Sequence, residues 1–169
     1  MELYEAINQR YSVRAYLDKP VEADKLDRIL DAGRLAPSSN NRQAWKFVVA
    51  RNAKLRGALA EACDQPFLAN APVIVAVVGL DPERKMSCDI LADVVDCSIA
   101  ATHMILAATI EGLGTCWIGH FKQDLCRSLL GVPPQAKIVA LLPIGYPDQP
   151  SRPKTRKTMG EVVSYDAFS

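Results

Sequence analysis

The chain is short of the residues from which enzymes commonly build proton-transfer sites. It has two histidines, His103 and His120, in 169 residues. No Ser/His/Asp or Cys/His arrangement stands out, and two histidines without an HExxH motif cannot make a common zinc enzyme. His103 falls in an apolar stretch and reads as a core residue rather than a base. The cysteines, Cys63, Cys88, Cys97, Cys116 and Cys126, are odd in number and include no CxxC pair, so neither a zinc site nor a redox dithiol is signalled. Cys116, inside GLGTCWIG, reads as a core residue on a strand. No GxGxxG follows a strand, which leaves a Rossmann nucleotide site without support.

An excess of charge is missing too. The formal net charge is +1, which argues against nucleic-acid binding. The one dense basic run, Arg152, Lys154, Arg156 and Lys157, reads on composition alone as a solvated tail. The N-terminus, MELYEAINQRYSVR, has no apolar signal core. The longest apolar tract, Ile90 to Leu113, is interrupted by Asp93, Asp96, His103 and Glu111, and so reads as a buried helix and not a membrane span. These absences point to a cytoplasmic protein whose thiols act as small hydrophobes.

What is present suffices for a sizeable core: 49% of residues are hydrophobic, and the length fits a single domain over 1–169. Helical spacing predicts helices over Glu2 to Gln9 and from Ala23 to the Ala36–Asn41 loop. Trp45 to Ala50 reads as a strand, and Asn52 as the cap of a helix running to about Cys63. The unbroken β-branched run Pro72 to Gly79 predicts a strand buried on both faces. Ser87 or Asp89 is expected to open the long helix, which ends at Gly112 and Gly114. Thr115 to Ile118 reads as a short strand, Gln123 to Leu130 as a helix stopped by Gly131, and Ile138 to Gly145 as another strand. The proline-rich arm from Pro147 onward should form no compact element, with Val162 and Val163 suggesting a final strand. An arm of this kind persists when it packs on something, and a partner subunit is the simplest candidate. The fold class is α+β, a sheet flanked by helices with the apolar helix central.

Four constellations could carry chemistry. In Arg10-Tyr11-Ser12-Val13-Arg14, two guanidiniums and a hydroxyl can converge on one anion, since guanidinium offers a planar, bidentate fork to phosphate. The loop Pro37-Ser38-Ser39-Asn40-Asn41 carries hydroxyls and amides suited to a polar ligand. Gly112 to Gly119 holds glycines that let backbone approach a planar ligand. Lys154-Thr155-Arg156 is a second candidate anion clamp. With no base in view, any reactive chemistry belongs to a cofactor.

In this order and spacing, RYSVRAY, LAPSSNNRQAWKFVVA, APVIVAVV, DVVDCSIAATHMILAATIEGLGTCWIG and KTR before EVV resemble the nitroreductase family of FMN-dependent oxidoreductases, from about Ala6 to Val163. The resemblance implies a mostly antiparallel sheet and a homodimer with two shared flavins, the arm 147–169 packing on the partner. It implies FMN as cofactor, with Arg10 and Ser12 at phosphate and ribityl, Tyr11 among the cofactor-binding residues, and Arg14 near the pyrimidine edge. Pro37, Ser38, Ser39 and Asn41 would come from the opposite subunit, and Lys154 and Arg156 would clamp phosphate. Trp117, Ile118 and Gly119 would present backbone near flavin N5. Gln65, with Asp64 and Asn70 as alternatives, would reach the pyrimidine edge. Ala44 departs from the proline usual before the tryptophan. The implied reaction is ping-pong transfer from NAD(P)H to a nitroaromatic, quinone or similar acceptor, without a catalytic side chain or a metal. A flavin store or sensor, and oxygen-using flavin-fragmenting or dehalogenating relatives, are the alternatives.

Overall fold

A computed structural model describes residues 1–151 and 153–168; Arg152, counted above in the basic run, lies outside them. Four strands form one antiparallel sheet in the order β1-β2-β4-β3: β1 Trp45–Ala50, β2 Val73–Gly79, β3 Gly114–Thr115 and β4 Lys137–Gly145. The helices are α1 Leu3–Gln9, α2 Ala23–Arg34, α3 Ala53–Ala62, α4 Ala92–Ile110, α5 Gln123–Leu130 and α6 Met159–Val162, with single 3-10 turns at Ser39–Asn41 and Pro66–Asn70.

β2 is buried along its whole length, as its β-branched run predicts. Its side chains alternate between two cores, because strand side chains have period two. Ile74, Ala76 and Val78 enter the core under α3 and α5, with Leu59, Cys116, Cys126 and Leu141. Val73, Val75 and Val77 enter the core under α2 and α4, with Ile29, Met104, Leu142 and Ile144. α2 approaches α4 closely at Gly33, where a Cβ would stand 2.1 Å from Met104 Cε.

Local chemistry sets most boundaries. Asn52 Oδ1 accepts from Lys54 N and Leu55 N at 2.9 and 3.2 Å, capping α3. Gly131, at φ 64°, ends α5 in the left-handed conformation.

Several expectations require correction. α4 opens at Leu91 and not at Ser87 or Asp89. Residues 84–92 instead fold back on themselves, with Met86 N bonded to Ile90 O and Ala92 N to Arg84 O. Asp89 adopts a positive φ there and pairs with Lys85. The strand expected over Thr115 to Ile118 stops at Thr115, and Ile118 rejoins β4 through an isolated bridge to Leu141. Val162 and Val163 form no strand. Thr158 and Glu161 make a reciprocal capping box that winds 159–162 into one helical turn. His103 is no core residue, since it lies half-buried on an open face of α4. Apart from these corrections, the start of the arm is bonded within the chain: Tyr11 Oη donates to Gln149 O, Gln149 Oε1 accepts from Arg14 N, and Asp148 N donates to Ala15 O.

Candidate functional site

α1 ends at Arg10, and the chain leaves extended so that Ser12 bridges Thr115 of β3 and Val13 N bonds Thr115 O at 2.9 Å. This fixes Arg10, Ser12 and Arg14 on one ribbon against the sheet edge. Val13 points the other way into the core and is fully buried. Gly114 makes room for it: a Cβ there would stand 2.4 Å from Val13 Cγ2. Tyr11, Ser12, Arg14 and Gln149 enclose a cleft of about 260 Å³.

The arm brings Lys154 to the same place. Its ammonium donates to the Ile7 and Asn8 carbonyls at the end of α1. Burial, and then the positive charges of Arg10 and Arg156, hold Lys154 below the usual lysine range. Both charges acting on it are of its own sign. The two anion clamps foreseen separately in the sequence, 140 residues apart, are therefore one cluster. The tail reading of the basic run fails for Lys154, which is tied to the end of α1 and feels the charges of Arg10 and Arg156.

Cys116 sits beneath this ribbon, 3% exposed. Burial pushes its thiol up. Arg14, the Ser12 hydroxyl and Arg10 act in the opposite direction without cancelling that rise. The thiol stays protonated, as a core reading requires. Next to it Trp117 and Gly119 are exposed. Ile118 is buried, and its N–H and C=O are both spent on Leu141, at 3.0 and 3.1 Å. Of the three backbone positions expected at a ligand, Ile118 is thus already paired. Gln65 is half-buried at the start of the Pro66–Asn70 turn, with Asp64 and Asn70 exposed beside it.

The Pro37–Asn41 loop lies elsewhere. Ser39 N donates to Asp96 Oδ1 at 3.0 Å, Ser39 Oγ accepts from Arg84 at 3.3 Å, and Ser38 Oγ accepts from Gln43 N at 3.0 Å. Asn40, Asn41 and Gln43 all take positive φ. Asp96 belongs to the N-terminal part of α4, whereas Arg10 shares a small cleft with Thr109 and Gly112 at its C-terminal end. Thirteen residues of helix separate Asp96 from Thr109, about 20 Å. Asp96 is the residue that sequence reasoning missed, and an acidic side chain in the first turns of a long helix carries no signal that it holds a distant loop.

Matches in sequence and structure identify the family. A family model described as the nitroreductase family matches residues 7–65 and 58–146. The chain belongs to the nitroreductase family. It is 34% identical over 152 residues to a protein of Archaeoglobus fulgidus that carries the name NADH dehydrogenase/NAD(P)H nitroreductase, spanning 86% of each chain. A nitroreductase family protein of Clostridium difficile superposes with TM-score 0.90 at 30% identity, covering 99% of this chain and 100% of the other. An FMN-dependent nitroreductase of Clostridium difficile superposes with TM-score 0.84 at 30% identity, covering 96% and 98%. The α+β, antiparallel architecture is that of the family.

One face of α4 is open. Val94, Val95, Ser98, Ile99, His103 and Leu106 line a shallow trough of about 570 Å³. Ser98 and Thr102 turn their hydroxyls onto the helix's own carbonyls, of Val94 and Ser98, at 2.5 and 2.8 Å. That satisfies the hydroxyls and leaves the stripe apolar. α4 is long and apolar enough to cross a membrane by length and composition alone, but its other face packs on α2 and the sheet.

Proposed function

We propose that this single-domain chain is an FMN-dependent oxidoreductase that takes electrons from NAD(P)H and passes them to a small organic acceptor, and that it works in the cytoplasm as a homodimer. The observation that carries the reading is the cluster of Arg10, Lys154 and Arg156, where like charges crowd an ammonium. Such a cluster is stabilised by a dianionic phosphate, and guanidinium forks suit its geometry. The chemistry of these donors fits FMN.

FMN supplies N5 as the acceptor and donor of hydride, and the chain's own groups position and tune. Arg10, Lys154 and Arg156 hold the phosphate. Ser12 would hold the ribityl chain, and Arg14, exposed on the same ribbon, would set positive charge at the pyrimidine edge, where Gln65 is the proposed polar contact. Trp117 and Gly119 leave a floor on which a planar ring can lie, and an exposed face admits donor and acceptor in turn, a ping-pong order. No side chain is needed as a base, and the protonated Cys116 takes no part. Quinones and nitroaromatics are the acceptors this open site suits.

The partner supplies Pro37, Ser38, Ser39 and Asn41. Within one chain the Ser39 loop and the Arg10 cluster sit near opposite ends of α4. Antiparallel packing of two open α4 faces would bring one chain's loop to the other's cluster. The exposed Met159, Val162, Tyr165 and Phe168 at the end of the arm would then pack on the partner, with the tied segment 147–154 remaining in place.

The test is anaerobic addition of NADH or NADPH to the purified, FMN-loaded protein. Bleaching of the flavin absorbance followed by quinone-dependent recovery is expected. Flavin that neither nucleotide reduces would mark a store or sensor, and a protein that takes up no FMN would end the reading altogether.

A further inference from the structure

A cleft of about 600 Å³ lies apart from the Arg10 cluster, with none of Arg10, Ser12, Arg14 or Lys154 in its lining. It opens between the strap Tyr16–Val21, the end of β1 and the segment joining the Pro66–Asn70 turn to β2. Its size is that of clefts that hold small-molecule ligands. Its lining is cationic: Lys19, Arg51 and Arg56 face it, against the single carboxylate of Asp18.

The three cations differ in their commitments. The Lys19 ammonium stands 3.7 Å over the Tyr146 ring and 3.8 Å from Glu22. The half-buried Arg56 is anchored by Nη1 to the Ala71 carbonyl at 2.7 Å, and its Nε–H is buried without a partner among the described residues. A guanidinium pinned through Nη1 has its fork held in one direction, so the part of it that lines the cleft is a preorganised donor for an incoming anion. Arg51, directly after β1, is exposed at the mouth. The Tyr16 side chain lines the cleft, and its hydroxyl donates to Val13 O at 2.8 Å, behind the ribbon that carries Ser12 and Arg14. The cleft and the Arg10 cluster therefore share no side chain.

We propose that this cleft is a second oxyanion site, taking a small molecule with two negatively charged groups, one met by Arg56 in the wall and the other by Arg51 at the mouth. Carboxylates and phosphates share this chemistry. The spacing of a wall donor and a mouth donor favours a ligand longer than a single ion.

The experiment is isothermal titration of the FMN-saturated protein at low ionic strength with two probes, inorganic pyrophosphate and succinate. Saturation with FMN fills the Arg10 cluster. Binding of one probe per chain is expected, and the tighter probe identifies phosphate or carboxylate as the natural group. Arg51→Ala removes an exposed side chain and should leave the melting temperature unchanged while weakening binding about tenfold or more. Arg56→Lys, which keeps the charge and loses the fork, should weaken it as well. Arg10→Ala, which disables the other cluster, should not. Absence of binding by both probes at millimolar concentration would overturn the proposal. So would binding that Arg10→Ala abolishes and Arg51→Ala leaves intact, which would assign the anion to the flavin phosphate cluster.

Discussion

The backbone N–H of Ser39 is held 3.0 Å from the buried carboxylate of Asp96, so the Pro37–Asn41 loop is anchored to α4 and not to the sheet that carries Arg10. A hydrogen bond to a charged acceptor contributes about 1.5–3 kcal/mol. It holds a loop in which Asn40, Asn41 and Gln43 all adopt positive φ. Asp96 Oδ2 is buried without a partner among the described residues, which offsets part of that gain. Asp96→Ala is expected to loosen the loop and lower FMN affinity about tenfold, while Asp96→Asn, which keeps an acceptor and adds a donor, restores most of it. Equilibrium FMN titration of both variants checks this. Equal affinities in wild type and Asp96→Ala would detach the loop from the flavin.

Arg10→Ala should weaken FMN binding about tenfold or more, the worth of one charge-assisted hydrogen bond, with little effect on the melting temperature of the apo chain. Arg10 is a half-buried residue at the end of α1, so the fold does not depend on it. An unchanged dissociation constant would reduce the cluster to a surface feature.

Lys154 predicts the direction of the pH dependence. Its value in the folded apo chain lies below its ordinary one. At alkaline pH the folded chain therefore holds fewer protons than the unfolded chain, and apo stability gains with rising pH across that window, up to about 10.4. A bound phosphate reverses the crowding and draws the proton back. FMN binding should take up protons at alkaline pH, and affinity should fall as pH rises through the depressed value. Calorimetry in buffers of different ionisation enthalpy reads the proton uptake, and Lys154→Ala should remove it.

Thiol chemistry separates the cysteines. All five are free, and Cys88 alone is exposed. An aromatic disulfide reagent should titrate one thiol quickly in the native protein and the other four after denaturation. Burial pushes Cys97 up to about 12, and Cys116 is raised in the same direction. Cys116→Ser should keep both half-reactions of the flavin. A second fast native thiol, absent in Cys116→Ser, would make Cys116 chemical.

Gly114 links fold to site. Gly114→Ala drives a Cβ into buried Val13, between Ser12 and Arg14. Overpacking of this kind costs about 1–3 kcal/mol, and FMN affinity should fall with it. Gly57→Ala, in α3 with open space around the new methyl, should stabilise by up to about 1 kcal/mol.

The sheet and most helices are legible in the sequence because their signals are local: the β-branched run of β2, Asn52 at the start of α3, Gly131 at the end of α5. Sequence and structure part where two local signals compete or where packing decides. The Thr158–Glu161 box outweighs the β-branching of Val162. Residues 84–92 fold as a loop because their backbone pairs with itself. His103 is apolar in context but faces outward, since helical periodicity does not say which face a neighbour covers. In the site, Arg10 and Ser12 stand out by composition. Their meeting with Lys154 and Arg156 follows from the arm lying back along α1, which no local pattern encodes.

The central claim is that one chain supplies the phosphate cluster and the other the anchored loop, and subunit mixing tests it most directly. Arg10→Ala chains and Asp96→Ala chains, each poor in FMN alone, are co-expressed with different tags, and the mixed dimer is isolated. In that dimer one site carries both defects and the other carries neither. One FMN bound per mixed dimer with wild-type affinity, reducible by NAD(P)H, is the predicted result. A mixed dimer no better than either parent would place the cluster and the loop in the same site of the same chain and contradict the account.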